Sequence, residues 1–190
     1  MKIDPQKTAV LSLDVQEGLL GFVPGAVACI PNAAQVVEAA RKGGFTLIHV
    51  GIGFEPGYPE ISLANKRFAM VKERGIFIKG SDSTKTLPAI FKPGDTVIYK
   101  HRVGAFAGNS LQMILHSKGI ENLVFFGIST SGIVLSTLRL AADLDFQCFV
   151  VKDACFDPDE EVHRVLTEKV FAAQATVITA KEFQSDYAGT

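Results

Sequence analysis

The chain contains no uninterrupted apolar stretch of about 18 residues, the length that a membrane-spanning helix needs. Its opening residues, Met1-Lys2-Ile3-Asp4-Pro5, put an acid and a proline where a secretory signal carries a basic and then an apolar run. A cytoplasmic location with no membrane partner is the expectation. Concentrated positive charge is also missing: 19 Lys and Arg stand against 20 Asp and Glu, for a net charge of -1, and the cations are scattered along the chain. Phosphate backbones are held by clustered cations, so nucleic acid is not an expected partner.

Cysteine is scarce and odd in number, with Cys29, Cys148 and Cys155 at no metal-like spacing. That argues against a disulfide framework and for reduced thiols, with Cys148 packed within the apolar run that contains it. The glycine patterns of nucleotide binding are absent as well, since Gly51-x-Gly53 has no third glycine at the required distance. His49, His101, His116 and His163 show no pairing three or four residues apart, the spacing by which one helix face presents metal ligands. They read as surface or internally satisfied histidines, and neither a metal nor a cofactor is expected.

What the chain does have is 47% apolar and 21% charged residues in 190 positions, enough for one sizeable core and short for two. One domain over residues 1–190 is expected. Short β-branched runs alternate with helical patterns, the signature of a parallel sheet covered on both faces. The pattern predicts strands over Thr8 to Leu13, Thr46 to Val50, Thr96 to Tyr99, Asn122 to Phe126, Gln147 to Lys152 and Ala175 to Thr179. Helices are predicted near Pro31 to Lys42, Ser110 to Lys118, Gly132 to Asp143 and Asp159 to Phe171, with Gly43-Gly44 and Gly119 as stop signals. The fold class is α/β.

One connection, Gly51 to Gly94, is far longer than a crossover needs. It carries Phe54, Tyr58, Phe68, Met70 and Phe77 among Pro and Gly. Either it forms a lid over a pocket or a subunit contact, or it is an ordinary helix with a surface loop. Its apolar residues lead us to expect a symmetric homo-oligomer.

Ligands of doubly wound sheets bind outside the carboxyl ends of the strands, and three segments fall there. Asp14 closes the first predicted strand, Lys100 follows the third in Asp95-Thr96-Val97-Ile98-Tyr99-Lys100-His101-Arg102, and Gly127-Ile128-Ser129-Thr130-Ser131-Gly132 joins the fourth to a helix. A charged residue ending a buried strand can simply reach solvent. The third segment is at least a polar turn with Ser131 or Thr130 as helix cap; the same donors suit an anion or a developing oxyanion.

These segments, in this order, resemble the three signatures of the isochorismatase-like hydrolases, the cysteine hydrolase superfamily. The likeness runs on through Asp153-Ala-Cys-Phe-Asp-Pro158 and Val162-His-Arg-Val-Leu166 and so spans nearly the whole chain. It implies a Rossmann-like, three-layer α/β/α fold with a six-stranded parallel sheet in the order 3-2-1-4-5-6. It also implies a small-molecule substrate and an Asp, Lys and Cys triad that hydrolyses amides. Asp14 falls on the general acid/base and Lys100 on its cationic partner; Ile128, Ser129, Thr130 and Gly132 fall on the substrate or oxyanion loop, with a cis peptide bond between Ile128 and Ser129. The cysteine of the pattern falls on Ile133, which has no nucleophile, donor or acceptor.

The resemblance supplies a precedent for that loss, because true isochorismatases cleave a vinyl ether with an aspartate acid and no cysteine. The metal motif of the family's nicotinamidases is absent, with His49-Val-Gly-Ile-Gly-Phe54 in its place. Among substitute nucleophiles, Ser129, Thr130 and Ser131 have no histidine assigned to them by sequence, and Cys155, at the end of the fifth strand, would have to approach the crevice. Two functions stand side by side: a hydrolase working through Asp14 and Lys100, and a catalytically silent member that binds a ligand or assembles with a partner. An open, polar pocket near Ile133 favours the first; a site filled by that side chain favours the second.

Overall fold

The computed structural model describes residues 3–188; Met1 and Lys2 of the opening stretch, and residues 189–190, lie outside them. The β-branched and apolar runs form six strands: β1 (Thr8–Leu13), β2 (Thr46–Ile52), β3 (Thr96–Lys100), β4 (Asn122–Gly127), β5 (Gln147–Val151) and β6 (Ala175–Ile178). All pair in parallel in one sheet, ordered β3-β2-β1-β4-β5-β6. Every residue of β1 is buried, as a central strand covered on both faces must be. The chain reverses direction across the sheet between β1 and β4, where Leu13 stands beside Gly127. A crevice opens at such a switch point.

Among the described residues, seven α-helical segments accompany the sheet: α1 (Glu17–Phe22), α2 (Ile30–Gly43), α3 (Lys66–Glu73), α4 (Leu111–Ser117), α5 (Leu135–Asp143), α6 (Glu160–Val165) and α7 (Ala180–Glu182). The α2 helix turns Ala33, Val36, Val37, Ala39 and Ala40 inward, a stripe at helical spacing. Gly44, at a φ of 74°, ends it in a left-handed turn that favours glycine. The core between the layers is dense with large side chains such as Leu11, Phe125 and Phe149, all fully buried. Truncating a phenylalanine of this kind to alanine costs about 3–5 kcal/mol.

Several expected boundaries move, each for a local reason. The second strand runs on to Ile52 because its register with Tyr99 and Lys100 continues past Gly51. Conversely, Thr179 leaves the sixth strand to cap the last helix, its side chain and that of Glu182 bonding reciprocally. The helix expected from Gly132 to Asp143 begins as a wide π-type turn, Thr130–Val134, and tightens into α5 at Leu135. The one expected from Asp159 to Phe171 is α6, capped by Asp159, followed by a π-type turn Leu166–Val170 and a 3-10 turn.

The long connection contains α3 and a small apolar core of its own, built from Ile52, Phe54, Tyr58, Ile61, Phe68, Val71 and Phe77. Phe54 meets Phe68 edge-on at 5.6 Å between ring centres. Gln16 fastens this layer to the sheet: its side-chain amide donates to Ile52 O and Thr84 O and accepts from Ile52 N, at 3.0, 2.9 and 2.8 Å.

Candidate active site

Asp14 follows β1 immediately, and its φ of 55° lies in the left-handed region. A non-glycine residue is held there at a cost of order 1 kcal/mol, which aspartate tolerates better than most. Its own N–H still donates to Val50 O at 2.8 Å, so the turn is anchored to β2 while the side chain enters the space beyond the strand ends. Lys100 ends β3, two strands away in the sheet order, about 10 Å at the usual strand spacing. Its side chain arches over the end of β2, leaving Nζ 2.9 Å from Asp14 Oδ2 and donating at 3.0 Å to Arg102 O. The lysine is only 2% exposed, and a cation buried so deeply needs such partners.

The carboxyl itself is unevenly satisfied. Oδ2 faces Lys100, whereas Oδ1 is buried and has no hydrogen-bond partner. Leaving a buried acceptor unmet costs about 1–3 kcal/mol. Burial pushes the Asp14 pKa up, and this outweighs the opposing pull of the Lys100 charge, its hydrogen bond and, further off, Arg67.

The loop after β4 forms the facing wall. A Cβ on Gly127 would collide with the Leu13 carbonyl, so only glycine lets the chain leave the sheet this close to β1. The Ile128–Ser129 peptide bond is cis, and Ile128 N–H donates to Leu13 O at 3.1 Å. Ile128, Ser129 and Ile133 line a cavity of about 200 Å³ together with Asp14 and Lys100. Thr130 and Gly132 are buried behind that wall. Phe22, Val71 and Phe77 make most of the remaining surface apolar. The cavity is therefore open beside Ile133 but poor in polar groups, so neither of the outcomes set by the sequence is met in full.

Two sequence readings are corrected here. Neither Thr130 nor Ser131 caps the following helix: the Thr130 hydroxyl meets His163 Nδ1 at 2.9 Å, and Ser131 N–H donates to Asp157 Oδ2 at 2.7 Å. The loop thus does have a histidine partner, supplied by α6 from 33 residues away. Burial lowers the pKa of that imidazole, while Thr130 is closed off from the cavity. Finally, Cys155 does not approach the crevice. The 3-10 turn Lys152–Ala154 delivers it to the main core, where burial pushes its pKa up.

The remaining cysteines are buried too, with Cys29 and Cys148 each pushed up to about 11. Among the described residues, no three His, Cys, Asp or Glu are grouped to hold a metal, and no helix is long and apolar enough to cross a membrane. A second cavity, about 390 Å³, lies beside β3 along Glu17, Lys85 and Tyr99 and contains none of these site residues.

Arg67 is the site residue that sequence reasoning missed. It lines the cavity from the first turn of α3, whose helix start is signalled only by Asn65, a cap that accepts from Phe68 N at 3.4 Å. The long connection thus serves as a wall of the pocket, with Phe68, Met70 and Val71 facing it beside Arg67.

The chain is similar to several known proteins. It is 29% identical over 184 residues to the isochorismatase family protein YwoC of Bacillus subtilis, covering 96% of this chain and 95% of that one. With the ureidoacrylate amidohydrolase RutB of Agrobacterium fabrum it shares 30% identity over 206 residues, 95% of this chain and 86% of that. The structure of a cysteine hydrolase from Pseudomonas syringae pv. phaseolicola superimposes with a TM-score of 0.87 at 16% identity, over 97% of this chain and 94% of that one, a likeness of fold. The family model described as the isochorismatase domain matches residues 8–182, from the first residue of β1 to the last of α7, and the chain belongs to the isochorismatase family.

Proposed function

We propose that the protein hydrolyses a small metabolite with Asp14 as general acid and Lys100 as its charge partner, without a thiol. The observation that carries this reading is the Asp14 carboxyl at the cavity wall, one oxygen held by Lys100 and the other buried without a partner. A carboxyl pushed up by burial keeps its proton nearer to neutral pH, which suits an acid. The fitting reaction is cleavage of a vinyl ether. Asp14 would protonate the terminal alkene carbon, and water would add to the resulting oxocarbenium centre and return a proton to the carboxylate. The hemiketal then collapses to a carbonyl compound and an alcohol.

Amide cleavage, the activity named for the RutB relative, needs a nucleophile at the carbonyl. Ile133 offers none, and the histidine that reaches this loop pairs with Thr130 and not with Ser129, the hydroxyl on the cavity wall. The apolar side chain of Ile133 and the largely apolar cavity also favour a second reading, a ligand-binding protein without turnover. The test is hydrolysis of a panel of vinyl ethers beside ureidoacrylate and maleamate, by wild type and Asp14→Ala. Vinyl ether cleavage lost in Asp14→Ala is the expected outcome. Amide cleavage that survives Asp14→Ala would overturn the assignment, and binding without any turnover would establish the second reading.

A further inference from the structure

We propose that His163, on α6, is a positioning residue for the cavity: through the Thr130 hydroxyl it fixes the loop that sets Ile128, Ser129 and Ile133 along the cavity wall. The inference rests on the reading that this cavity is where the reaction takes place. The loop needs an anchor from outside itself, because its π-type turn, Thr130–Val134, has no side-chain cap and the N–H groups that open a turn must be met from elsewhere. That support comes from the segment leading into α6. Thr130 N–H donates to Phe156 O at 2.9 Å, and Ser131 N–H donates to Asp157 Oδ2 at 2.7 Å. Neighbouring residues of the loop then face opposite ways, Ser129 on the cavity and Thr130 fully buried behind it. His163 reaches Thr130 from that rear side, with Nδ1 2.9 Å from Oγ1, and lines no part of the cavity.

The bond between them has a direction. Among the described residues, the Thr130 hydroxyl takes part in no other hydrogen bond. A buried hydroxyl proton needs an acceptor, and Nδ1 accepts only while it carries no hydrogen. The contact therefore requires the neutral imidazole with its proton on Nε2. Protonating the ring would set Nδ1–H against the hydroxyl and leave the Thr130 O–H with no acceptor. The surroundings act on the same step: burial lowers the His163 pKa, Asp157 pulls it up and Lys152 pulls it down. On the ring's own helix, Arg164 is engaged by Glu161 and Glu168. The neutral imidazole thus holds the wall in one arrangement, and the hold weakens as the ring takes up a proton.

The experiment is nitrogen-15 magnetic resonance of imidazoles and amides between about pH 5 and pH 8, the range in which histidine titrates, on wild type, His163→Asn and Thr130→Val. The wild-type ring is expected in the Nε2–H form near neutral pH, and the Ser129 and Ser131 amide signals move with the midpoint of the imidazole. His163→Asn puts a side-chain oxygen in place of Nδ1, an acceptor that does not titrate, and loses that movement. Thr130→Val removes the hydroxyl and with it the tautomer preference. A ring in the Nδ1–H form, or wall amides indifferent to its titration, overturns the proposal. In the vinyl ether assay His163→Phe lowers kcat/KM roughly tenfold or more, and His163→Asn recovers most of the loss; equal rates in wild type and His163→Phe overturn the proposal as well. The spectra need no turnover, so the two readings fail separately. Wall amides that follow the ring in a protein that cleaves nothing remove the catalytic reading alone, and vinyl ether cleavage with an indifferent wall removes only this one.

Discussion

Lys100 Nζ lies 2.9 Å from Asp14 Oδ2 although their strands are separated by β2, and the ammonium pulls against the burial that raises the Asp14 pKa. An acid catalyst is active only while protonated, so activity should decline as pH rises through the folded Asp14 value, which lies above the ordinary 3.8. Lys100→Met removes the pull. The decline should then shift to higher pH in a profile of kcat/KM; an unchanged or downward shift would show that the pair is not coupled to the chemistry.

Thiol reagents should leave the wild-type activity intact. Each cysteine is buried with its pKa raised by that burial, so little thiolate is offered at pH 7. Asp14→Asn, by contrast, should lower the rate by roughly 10²–10⁴, the usual worth of a general acid. Complete inactivation by iodoacetamide that Cys155→Ser abolishes would relocate the chemistry to Cys155.

Installing a thiol at position 133 should create a reactive one. Ile133→Cys would stand on the wall of a cavity that also carries Lys100 and Arg67, and neighbouring cations favour the thiolate. Peptide mapping after brief alkylation near neutral pH should find the label on residue 133 ahead of Cys29, Cys148 and Cys155. The same change removes buried volume, with an expected loss of about 1 kcal/mol in denaturant unfolding. Equal labelling of all four would mean that the cavity does not activate its wall.

How much of this was legible in the sequence follows from what each element depends on. The strands were readable because β-branched runs carry a local signal, and Asp14 and Lys100 because a parallel sheet fixes where its carboxyl ends lie. The α1 helix was not, since its six residues, Glu17–Phe22, include two glycines and bury nothing fully. Arg67 comes near Gly132, 65 positions away, and His163 meets Thr130, 33 positions away. No pattern local to either residue encodes such a meeting.

An internal network on the far side of the sheet ends should make stability depend on pH. His49 is 1% exposed, with Nδ1 2.6 Å from Ser12 Oγ and Nε2 3.1 Å from Asp95 Oδ2, and Asp95 also pairs with Arg41. Burial lowers the His49 pKa, and that of His163, below 6.5. The unfolded chain then takes up protons that the folded one refuses, so stability is full above about pH 6.5 and falls as pH drops through the folded values. Urea unfolding at pH 7 and pH 5 should show the loss, and His49→Gln should reduce it. A stability unchanged over that range would mean that both imidazoles protonate without penalty.

The small core of the long connection carries a consequence for how such proteins diversify. Because Phe54, Phe68 and Phe77 belong to a cluster separate from the main core and Gln16 is a clasp to the sheet, this stretch resembles a cassette. Its exposed faces can be rewritten in one gene segment while the strand ends that carry Asp14 and Lys100 stay fixed. Exchanging residues 53–79 between relatives is accordingly expected to alter ligand preference by recombination, with the strand ends that carry Asp14 and Lys100 inherited unaltered.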